Sequence, residues 1–296
     1  MKVLRAECMG FCAGVRRAVM TADKALSDNK NGQVYTFGPL IHNPVALADF
    51  ERRNLKILSE DKIDCLKSED TVVIRAHGIP PELTLRLEHT GAKILNGTCP
   101  LVQVNQNKCA EYAKLGYTII FAGDKNHGEV LGIEGYGKKA AEDSGKDFNF
   151  FLVRDCEQAL LASKKICDDK KNQNVVLMSQ TTFSIEEFGR ISIALKEKFP
   201  LIQVIKSICP ATHERQSSLV KLCSQVEGVI VIGGKNSANT TRLYNTAEGI
   251  CRHAALIESK EEIPPEFFTL KTVGLTAGAS TPDDVIDEVE KTLCQS

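Results

Sequence analysis

Three cysteines stand directly before segments with helical character, and their positions could support metal or redox chemistry. Cys12 lies in GFCAGVRRAV, Cys99 in NGTCPLV and Cys209 in ICPATHERQ. A proline follows the second and the third, and proline is favoured at the first position of a helix. The partial positive charge of a helix N-terminus stabilises a thiolate, which is the form that binds metals. Each of the three thiols is therefore a candidate metal ligand at the start of a helix.

Three thiols leave the identity of the metal open. Zinc is one candidate, but structural zinc takes four protein ligands, often in close pairs, whereas these cysteines lie roughly 90–110 residues apart. An iron–sulfur cluster usually takes four cysteines, so a cluster held by three would leave one iron without a protein ligand. That iron could act as a Lewis acid on a substrate oxygen.

The cysteines belong to a set of phrases that recurs three times along the chain. Each is followed by an apolar strand that ends in a glycine, Gly38, Gly123 or Gly233, at 26, 24 and 24 residues after the cysteine. A second apolar strand then runs into a polar turn, in RAHGIPPE, SQTTFS and TAGASTPDD. Strand–turn–helix order is common in α/β proteins, but that does not explain the same succession three times. The repeat predicts three similar α/β units.

The repeat also predicts the elements that must position these residues. Uniformly apolar runs indicate mostly parallel sheets covered by helices on both faces, and they occupy residues 72–74, 118–121, 175–178 and 229–232. We expect domains at residues 1–97, 98–200 and 201–281, and a C-terminal helix or tail at 282–296. If the three units pack around a pseudo-three-fold axis, the three thiols meet at its centre. Residues 138–150, KKAAEDSGKDFNF, are predicted to form an exposed loop.

The polar turns concentrate hydrogen-bond donors of the kind that bind an oxyanion. Three of the six histidines lie in them. Imidazole, hydroxyl and amide groups donate to phosphate oxygens, and helix N-termini add to the attraction. The chain contains neither GxxxxGK[ST] nor GxGxxG, so neither a P-loop nor a dinucleotide fold is indicated. The candidate binding residues are His42, His77, His127, Thr181, Thr182, Ser237, Asn239 and Ser280.

One carboxylate stands among these donors. Glu129 follows His127 by two residues. A single acid within a set of donors is a reasonable proton source, and a hydroxyl such as that of Thr181 could pass the proton on.

Composition excludes several classes of function. The net charge of −1 and the pI of about 6.6 give no sign of a nucleic-acid-binding surface. No apolar run reaches the roughly 18 residues that a membrane span needs. The N-terminus is too charged for a secretory signal peptide, and eleven cysteines, an odd number, do not suggest a disulfide framework. We therefore expect a cytoplasmic enzyme with no membrane or nucleic-acid partner.

The chain resembles the LytB/IspH family of 4-hydroxy-3-methylbut-2-enyl diphosphate reductases over nearly its whole length. Nine phrases in the same order carry the resemblance: GFCAGVRRAV, GPLIHNPVAL, RAHGIPPE, NGTCPLV, GDKNHGEVLGIEG, SQTTFS, ICPATHERQ, GGKNSANTTRL and TAGASTPDDV. This is far more specific than a single short motif.

The resemblance implies an α/β trefoil of three similar small domains around one [4Fe-4S] cluster, with Cys12, Cys99 and Cys209 as its three ligands. It implies reductive removal of the substrate hydroxyl, bound at the open iron, to give isopentenyl and dimethylallyl diphosphates. Reduced ferredoxin or flavodoxin would supply the electrons, and we expect a monomer. The catalytic residues would be Glu129, His127 and Thr181, and the candidate binding residues above would hold the diphosphate.

One position departs from the family pattern, and two other functions stay open. Many relatives carry a second serine where this chain has Ala238, which puts one hydrogen bond to the diphosphate in doubt.

A redox-neutral dehydratase would use the same open iron without an electron donor. A non-catalytic iron–sulfur sensor or phosphate-binding regulator would show no turnover.

Overall fold

The computed structural model describes residues 1–168 and 174–295. Ser296, the last residue of the predicted C-terminal segment, lies outside them. The strands are β1 Lys2–Arg5, β2 Val34–Phe37, β3 Leu55–Leu58, β4 Thr71–Ile74, β5 Lys93–Asn96, β6 Thr118–Ala122, β7 Phe150–Val153, β8 Val175–Ser179, β9 Gln203–Val204, β10 Gly228–Ile232, β11 His253–Ile257 and β12 Thr272–Ala277. The helices are α1 Ala13–Asp28, α2 Pro44–Arg52, α3 Pro81–His89, α4 Pro100–Lys114, α5 Gly128–Asp143, α6 Cys156–Asp168, α7 Ile185–Lys198, α8 Pro210–Cys223, α9 Ala238–Ile250 and α10 Asp283–Cys294.

The strands form three four-stranded sheets, in the orders β3-β2-β4-β5, β7-β6-β8-β9 and β11-β10-β12-β1. The recorded strand pairs are parallel. Each apolar run singled out in the sequence falls inside one of these strands. The prediction of an α/β fold with three parallel sheets is confirmed.

The three sheets share one arrangement, which explains the repeated phrases. In each sheet the strand that ends in glycine is flanked by the next strand along the chain and by the strand that enters the polar turn. The edge strand on the far side, β5, β9 or β1, precedes one of the three cysteines. The first strand of the chain therefore completes a sheet whose other strands lie between residues 228 and 277.

Contacts between residues divide the chain into two compact units. The first contains Met1–Glu60, Glu69–Val73 and Pro210–Ser296, and the second contains Asp61–Ser68 and Ile74–Cys209. In the second unit, alternate residues of β6 enter opposite cores: Ile120 packs on one face and Ile119 on the other. Two buried faces require side chains that are all apolar, which is the pattern that the sequence shows.

The predicted exposed loop at residues 138–150 is wrong for residues 138–143 and for Phe150, whereas residues 144–149 do connect a helix to a strand. Helix α5 continues to Asp143, and β7 begins at Phe150. Ala141 is fully buried in the core of the second unit. The charged face of this helical segment carries i,i+4 ion pairs, Lys138 with Glu142 at 3.9 Å and Lys139 with Asp143 at 3.1 Å. The segment is an amphipathic helix, but its many charged residues are also typical of an exposed loop. Its buried face has one small apolar residue in this stretch, which is too weak a pattern to indicate a helix.

Prolines and acidic residues mark the starts of the helices that follow the three polar turns. Pro81 is the first residue of α3, Pro282 is the N-cap of α10, and Glu186 lies in the first turn of α7. Within the described ranges, no helix combines the length and the apolar character that crossing a bilayer requires.

Candidate active site

Each of the three cysteines lies at a helix start, as predicted. Cys12 is the N-cap of α1, and its Sγ accepts the backbone N–H of Val15 at 3.4 Å. Cys99 is the N-cap of α4, and Cys209 directly precedes the first residue of α8. All three cysteines therefore lie where the partial positive charge of a helix start attracts an anionic ligand.

One backbone contact ties each cysteine to a polar turn. The cysteine N–H donates to the carbonyl oxygen of the residue two positions beyond the strand that enters the turn. The three bonds join Cys12 to Ala279 at 3.2 Å, Cys99 to Ala76 at 3.0 Å and Cys209 to Thr181 at 2.8 Å. The next residue in each turn is one of the predicted binding residues, namely Ser280, His77 and Thr182. The same local structure thus brings a thiol and a polar side chain together three times.

The glycine turns repeat in the same way. The N–H of the glycine donates to the carbonyl of the last residue in the neighbouring strand, in the pairs Gly38 with Leu58 at 3.1 Å, Gly123 with Val153 at 2.9 Å and Gly233 with Ile257 at 2.8 Å. The chain then reaches a helix whose N-cap is a polar residue, Asn43, His127 or Ser237. These bonds present the amino ends of α2, α5 and α9 at the carboxyl edges of their sheets, where parallel α/β folds bind ligands.

The capping bonds determine which atoms can serve a ligand. Nδ1 of His127 accepts the N–H of Glu129 at 3.2 Å, so Nε2 carries the proton of the neutral ring. Oγ of Ser237 accepts the N–H of Thr240 at 3.4 Å and keeps its own proton as a donor. The rings of His77 and His127 meet edge to face, with centroids 5.0 Å apart.

Glu129 forms two hydrogen bonds with Thr181 in the second unit. Its side chain is 1% exposed. Oε1 accepts the N–H of Thr181 at 2.7 Å, and Oε2 accepts the hydroxyl of Thr181 at 2.8 Å. Because the carbonyl of Thr181 accepts the N–H of Cys209, a continuous path of polar groups links the acid to a candidate metal ligand.

Gln180 binds the hydroxyl of Thr182, the other threonine of this turn. Its Oε1 accepts the N–H of Asp124 at 3.0 Å, and its Nε2 donates to Oγ1 of Thr182 at 2.8 Å. The amide therefore connects the glycine turn to the polar turn of the same sheet.

In the first unit, one candidate binding residue contacts the backbone of His42. The hydroxyl of Ser280 donates to the carbonyl of His42 at 3.1 Å. Asn239 is buried, and its Nδ2 has no hydrogen-bond partner among the described residues. A buried amide without a partner costs free energy, so Nδ2 of Asn239 is suited to a ligand that accepts its hydrogen bond.

Gly234 packs directly against the backbone of His42, and the space between them does not admit a side chain at position 234. A Cβ on Gly234 would lie 2.2 Å from the carbonyl oxygen of His42. We expect Gly234→Ala to displace the backbone of His42 and Asn43, to cost about 1–3 kcal/mol of stability and to raise the KM for substrate. Thermal unfolding and steady-state kinetics measure both effects. Gly249→Ala on α9 is the control, because nothing lies within 4 Å of its Cβ; equal effects of the two changes would contradict the prediction.

The predicted site residues fall into two groups. The first unit holds Cys12, His42, Ser237, Asn239 and Ser280, and the second holds His77, Cys99, His127, Glu129, Thr181, Thr182 and Cys209. Within the units, bonds or ring contacts join Ser280 to His42, His77 to His127, and Glu129 to Thr181.

Two buried polar residues lie outside the predicted binding set: Asn43, which accompanies His42 in its polar turn, and Arg215 on α8. Asn43 is fully buried, and its Nδ2 has no partner among the described residues. Arg215 is 3% exposed, and its guanidinium donates to the carbonyl of Gly10 at 2.7 Å, two residues before Cys12. Both lie inside quoted phrases, GPLIHNPVAL and ICPATHERQ, but only the structure shows that the protein interior surrounds them.

Comparisons with known proteins identify the family of the chain. Residues 3–294 match the family model described as LytB protein. The 4-hydroxy-3-methylbut-2-enyl diphosphate reductase of Treponema denticola is 43% identical over 300 residues and covers 100% of both chains. The Aquifex aeolicus reductase of the same name is 38% identical over 296 residues and covers 98% of this chain and 95% of its own.

Two solved structures share the fold. One is (E)-4-hydroxy-3-methyl-but-2-enyl diphosphate reductase, described as the terminal enzyme of the non-mevalonate pathway; it is 36% identical, covers 100% of both chains and has a TM-score of 0.71. The other, E-1-hydroxy-2-methyl-but-2-enyl-4-diphosphate reductase from Plasmodium falciparum, is 26% identical over 99% of this chain and 87% of its own, with a TM-score of 0.84. The chain belongs to the LytB protein family.

Proposed function

We propose that this protein reduces 4-hydroxy-3-methylbut-2-enyl diphosphate to isopentenyl and dimethylallyl diphosphates, as the last step of the non-mevalonate isoprenoid pathway. Two electrons and two protons replace the hydroxyl by hydrogen and release one water. The relatives described above are named as reductases of this substrate. The observation that carries the proposal is the buried Glu129–Thr181 pair, because it places a proton source next to the turn that holds Cys209.

The residues present fit an iron–sulfur cluster, which is the cofactor type of this family. Three cysteines lie at helix starts, and each is fixed by the same backbone bond to a polar turn. No cysteine in the described part of the chain forms a disulfide. Cys12, Cys99 and Cys209 would hold a [4Fe-4S] cluster, one from each of three domains with the boundaries predicted above. When bound, the cluster would supply electrons one at a time and a Lewis-acidic iron without a protein ligand.

Glu129 and Thr181 supply the proton that the departing hydroxyl needs. Once Glu129 carries a proton, the 2.8 Å contact reverses its direction. The carboxyl then donates to Oγ1 of Thr181, and the hydroxyl of Thr181 gives its own proton to the leaving oxygen. Glu129 is buried, so bulk water does not compete for this transfer. Such proton transfer contributes roughly 10²–10⁴-fold to a rate.

The remaining polar residues hold the diphosphate. His42, His77, His127, Thr182, Ser237, Asn239 and Ser280 offer imidazole, hydroxyl and amide donors, and the amino ends of α5 and α9 add partial positive charge. Nε2 of His127 donates to the ligand because Nδ1 already caps α5. The proposal further includes a cytoplasmic monomer that accepts electrons from reduced ferredoxin or flavodoxin.

Ala238 offers a test of the diphosphate site. This residue begins α9, between Ser237 and Asn239. We expect Ala238→Ser to lower the KM by about 5- to 30-fold, because one added hydrogen bond to a charged acceptor contributes about 1–2 kcal/mol. Steady-state kinetics measure the change. Thr246→Ser, a hydroxyl change further along the same helix, is the control, and an unchanged KM for Ala238→Ser would exclude this position from the site.

Purification without oxygen tests the function itself. We expect iron and sulfide in the protein, turnover that requires a strong one-electron donor, and isopentenyl and dimethylallyl diphosphates as products. Turnover without a donor would favour the redox-neutral dehydratase. Bound iron and sulfide with no turnover in the presence of a donor would favour the non-catalytic sensor.

A further inference from the structure

The carboxyl end of β4 carries a guanidinium that lacks a partner. Arg75 directly follows Ile74, the last residue of the strand, and is mostly buried. Among residues 1–168 and 174–295, none forms a hydrogen bond or an ion pair with the side chain of Arg75, and its Nε is fully buried. Surface arginines of this protein behave differently: Arg190, for example, pairs with Glu187 at 3.1 Å.

The guanidinium lies against the amino end of α5. A Cβ on Gly128, the first residue of that helix, would lie 2.3 Å from Nη2 and 2.9 Å from Cζ of Arg75. His127, the N-cap, directly precedes Gly128, and its ring contacts the ring of His77. Arg75 is therefore next to two residues that the proposed function assigns to the diphosphate.

This position is unfavourable for a cation in the ligand-free protein. Burial lowers the pKa of Arg75 from its usual value, because desolvation disfavours the charged form. The amino end of a helix carries partial positive charge, which repels a guanidinium. A buried charge without a counter-ion is destabilising. An anion bound at this helix end would remove all three costs at once.

We infer that Arg75 is a further binding residue for the diphosphate group of the substrate. The inference rests on the proposed function. A guanidinium matches phosphate oxygens with two parallel N–H donors and keeps its charge at every physiological pH. Gly128 provides room for it because a side chain there would occupy the position of Nη2.

Binding of inorganic pyrophosphate to the anaerobically purified holoenzyme tests the inference. We expect Arg75→Gln and Arg75→Met to weaken the Kd, measured by calorimetry, at least 10-fold, and to raise the KM for substrate with kcat changed less than 3-fold. Arg75→Lys keeps the positive charge but loses the two parallel N–H donors, so its Kd for pyrophosphate should lie between those of the parent protein and of Arg75→Gln. Arg190→Gln, which removes an exposed arginine in the same unit, should leave the Kd unchanged.

Stability separates a ligand-binding role from a structural one. Removing an uncompensated buried charge should raise the unfolding temperature of ligand-free Arg75→Met by about 2–4 °C, while the further increase on adding pyrophosphate should shrink. A structural arginine would give a lower unfolding temperature instead. Gly128→Ala should also weaken pyrophosphate binding, because its Cβ pushes the guanidinium away.

The outcomes distinguish this inference from the proposed function. If the parent protein binds pyrophosphate and reduces substrate, and the Arg75 variants bind as tightly, the inference is wrong and the function stands. If the parent neither binds pyrophosphate nor turns over substrate, the proposed function is wrong. Where Arg75→Gln and Arg75→Met fail to fold, an unchanged Kd in Arg75→Lys and in Gly128→Ala overturns the inference.

Discussion

Glu129→Gln should lower kcat by about 10²–10⁴-fold and leave the iron content and the Kd for substrate close to those of the parent protein. Glutamine has the same shape, and its Oε1 can still accept the N–H of Thr181, which is a 2.7 Å contact in the parent. The amide holds no proton of the required acidity, so only proton delivery fails. Single-turnover kinetics with a pre-reduced enzyme measure this step without interference from the electron donor.

A glutamate on the same helix provides the control for this result. Glu142 is exposed and lies 3.9 Å from Lys138, so Glu142→Gln should retain parental turnover. Thr181→Val and Thr181→Ser divide the effect further: valine removes the hydroxyl and should reduce kcat, whereas serine retains it. If Glu129→Gln kept more than about half of the parental kcat, Glu129 would have no part in proton transfer.

The repeated phrases predicted the local structure well because local physics determines it. Gly38, Gly123 and Gly233 each end a strand, and prolines begin the helices after Cys99 and Cys209. Such features depend on backbone geometry within a few residues, so a short stretch of sequence contains them. The polar side chains at the ends of these strands follow from the same argument, since parallel strands present their carboxyl ends at one edge.

Contacts between residues that are far apart in the sequence could not be predicted from local patterns. Strand β1 pairs with β12, from Lys2 opposite Thr272 to Arg5 opposite Leu275, and no local signal indicates so distant a neighbour. The hydroxyl of Ser280, interpreted as a diphosphate ligand, donates to the carbonyl of His42, which is 238 positions away. Arg75 stood in the quoted phrase RAHGIPPE, but only its contact with Gly128 showed that a cation lies at a helix start.

The Glu129–Thr181 pair lies between these two cases. A lone acid near His127 was visible in the sequence, and the hydroxyl of Thr181 was a plausible relay. The sequence could not show that the N–H of Thr181 also binds the acid at 2.7 Å, or that the carbonyl of Thr181 receives the N–H of Cys209 at 2.8 Å. The structure therefore adds the connection between the acid and the cysteine.

Cys99→Ser should remove most of the bound iron and sulfide, and with them more than nine-tenths of the reductase activity. Serine has nearly the same size but is a poor ligand for an iron–sulfur cluster, because its hydroxyl does not ionise as a thiol does at a helix start. The backbone bond to Ala76 and the fold around it should survive, since that bond uses only the N–H of residue 99. Iron and sulfide assays, together with the visible absorption of the anaerobic protein, measure cluster content independently of turnover.

Two other cysteines of the same unit test whether this loss is specific. Cys65 is exposed, so Cys65→Ser should keep the parental iron content and stability. Cys109 is buried in the core, where burial raises the pKa of its thiol to about 12, so it is not a metal-binding thiolate. Cys109→Ala should lower the unfolding temperature through lost packing while the iron-to-protein ratio stays the same. Equal iron in the Cys99→Ser, Cys65→Ser and parent proteins would exclude Cys99 as a ligand, and the proposed three-cysteine site would then lose one of its members.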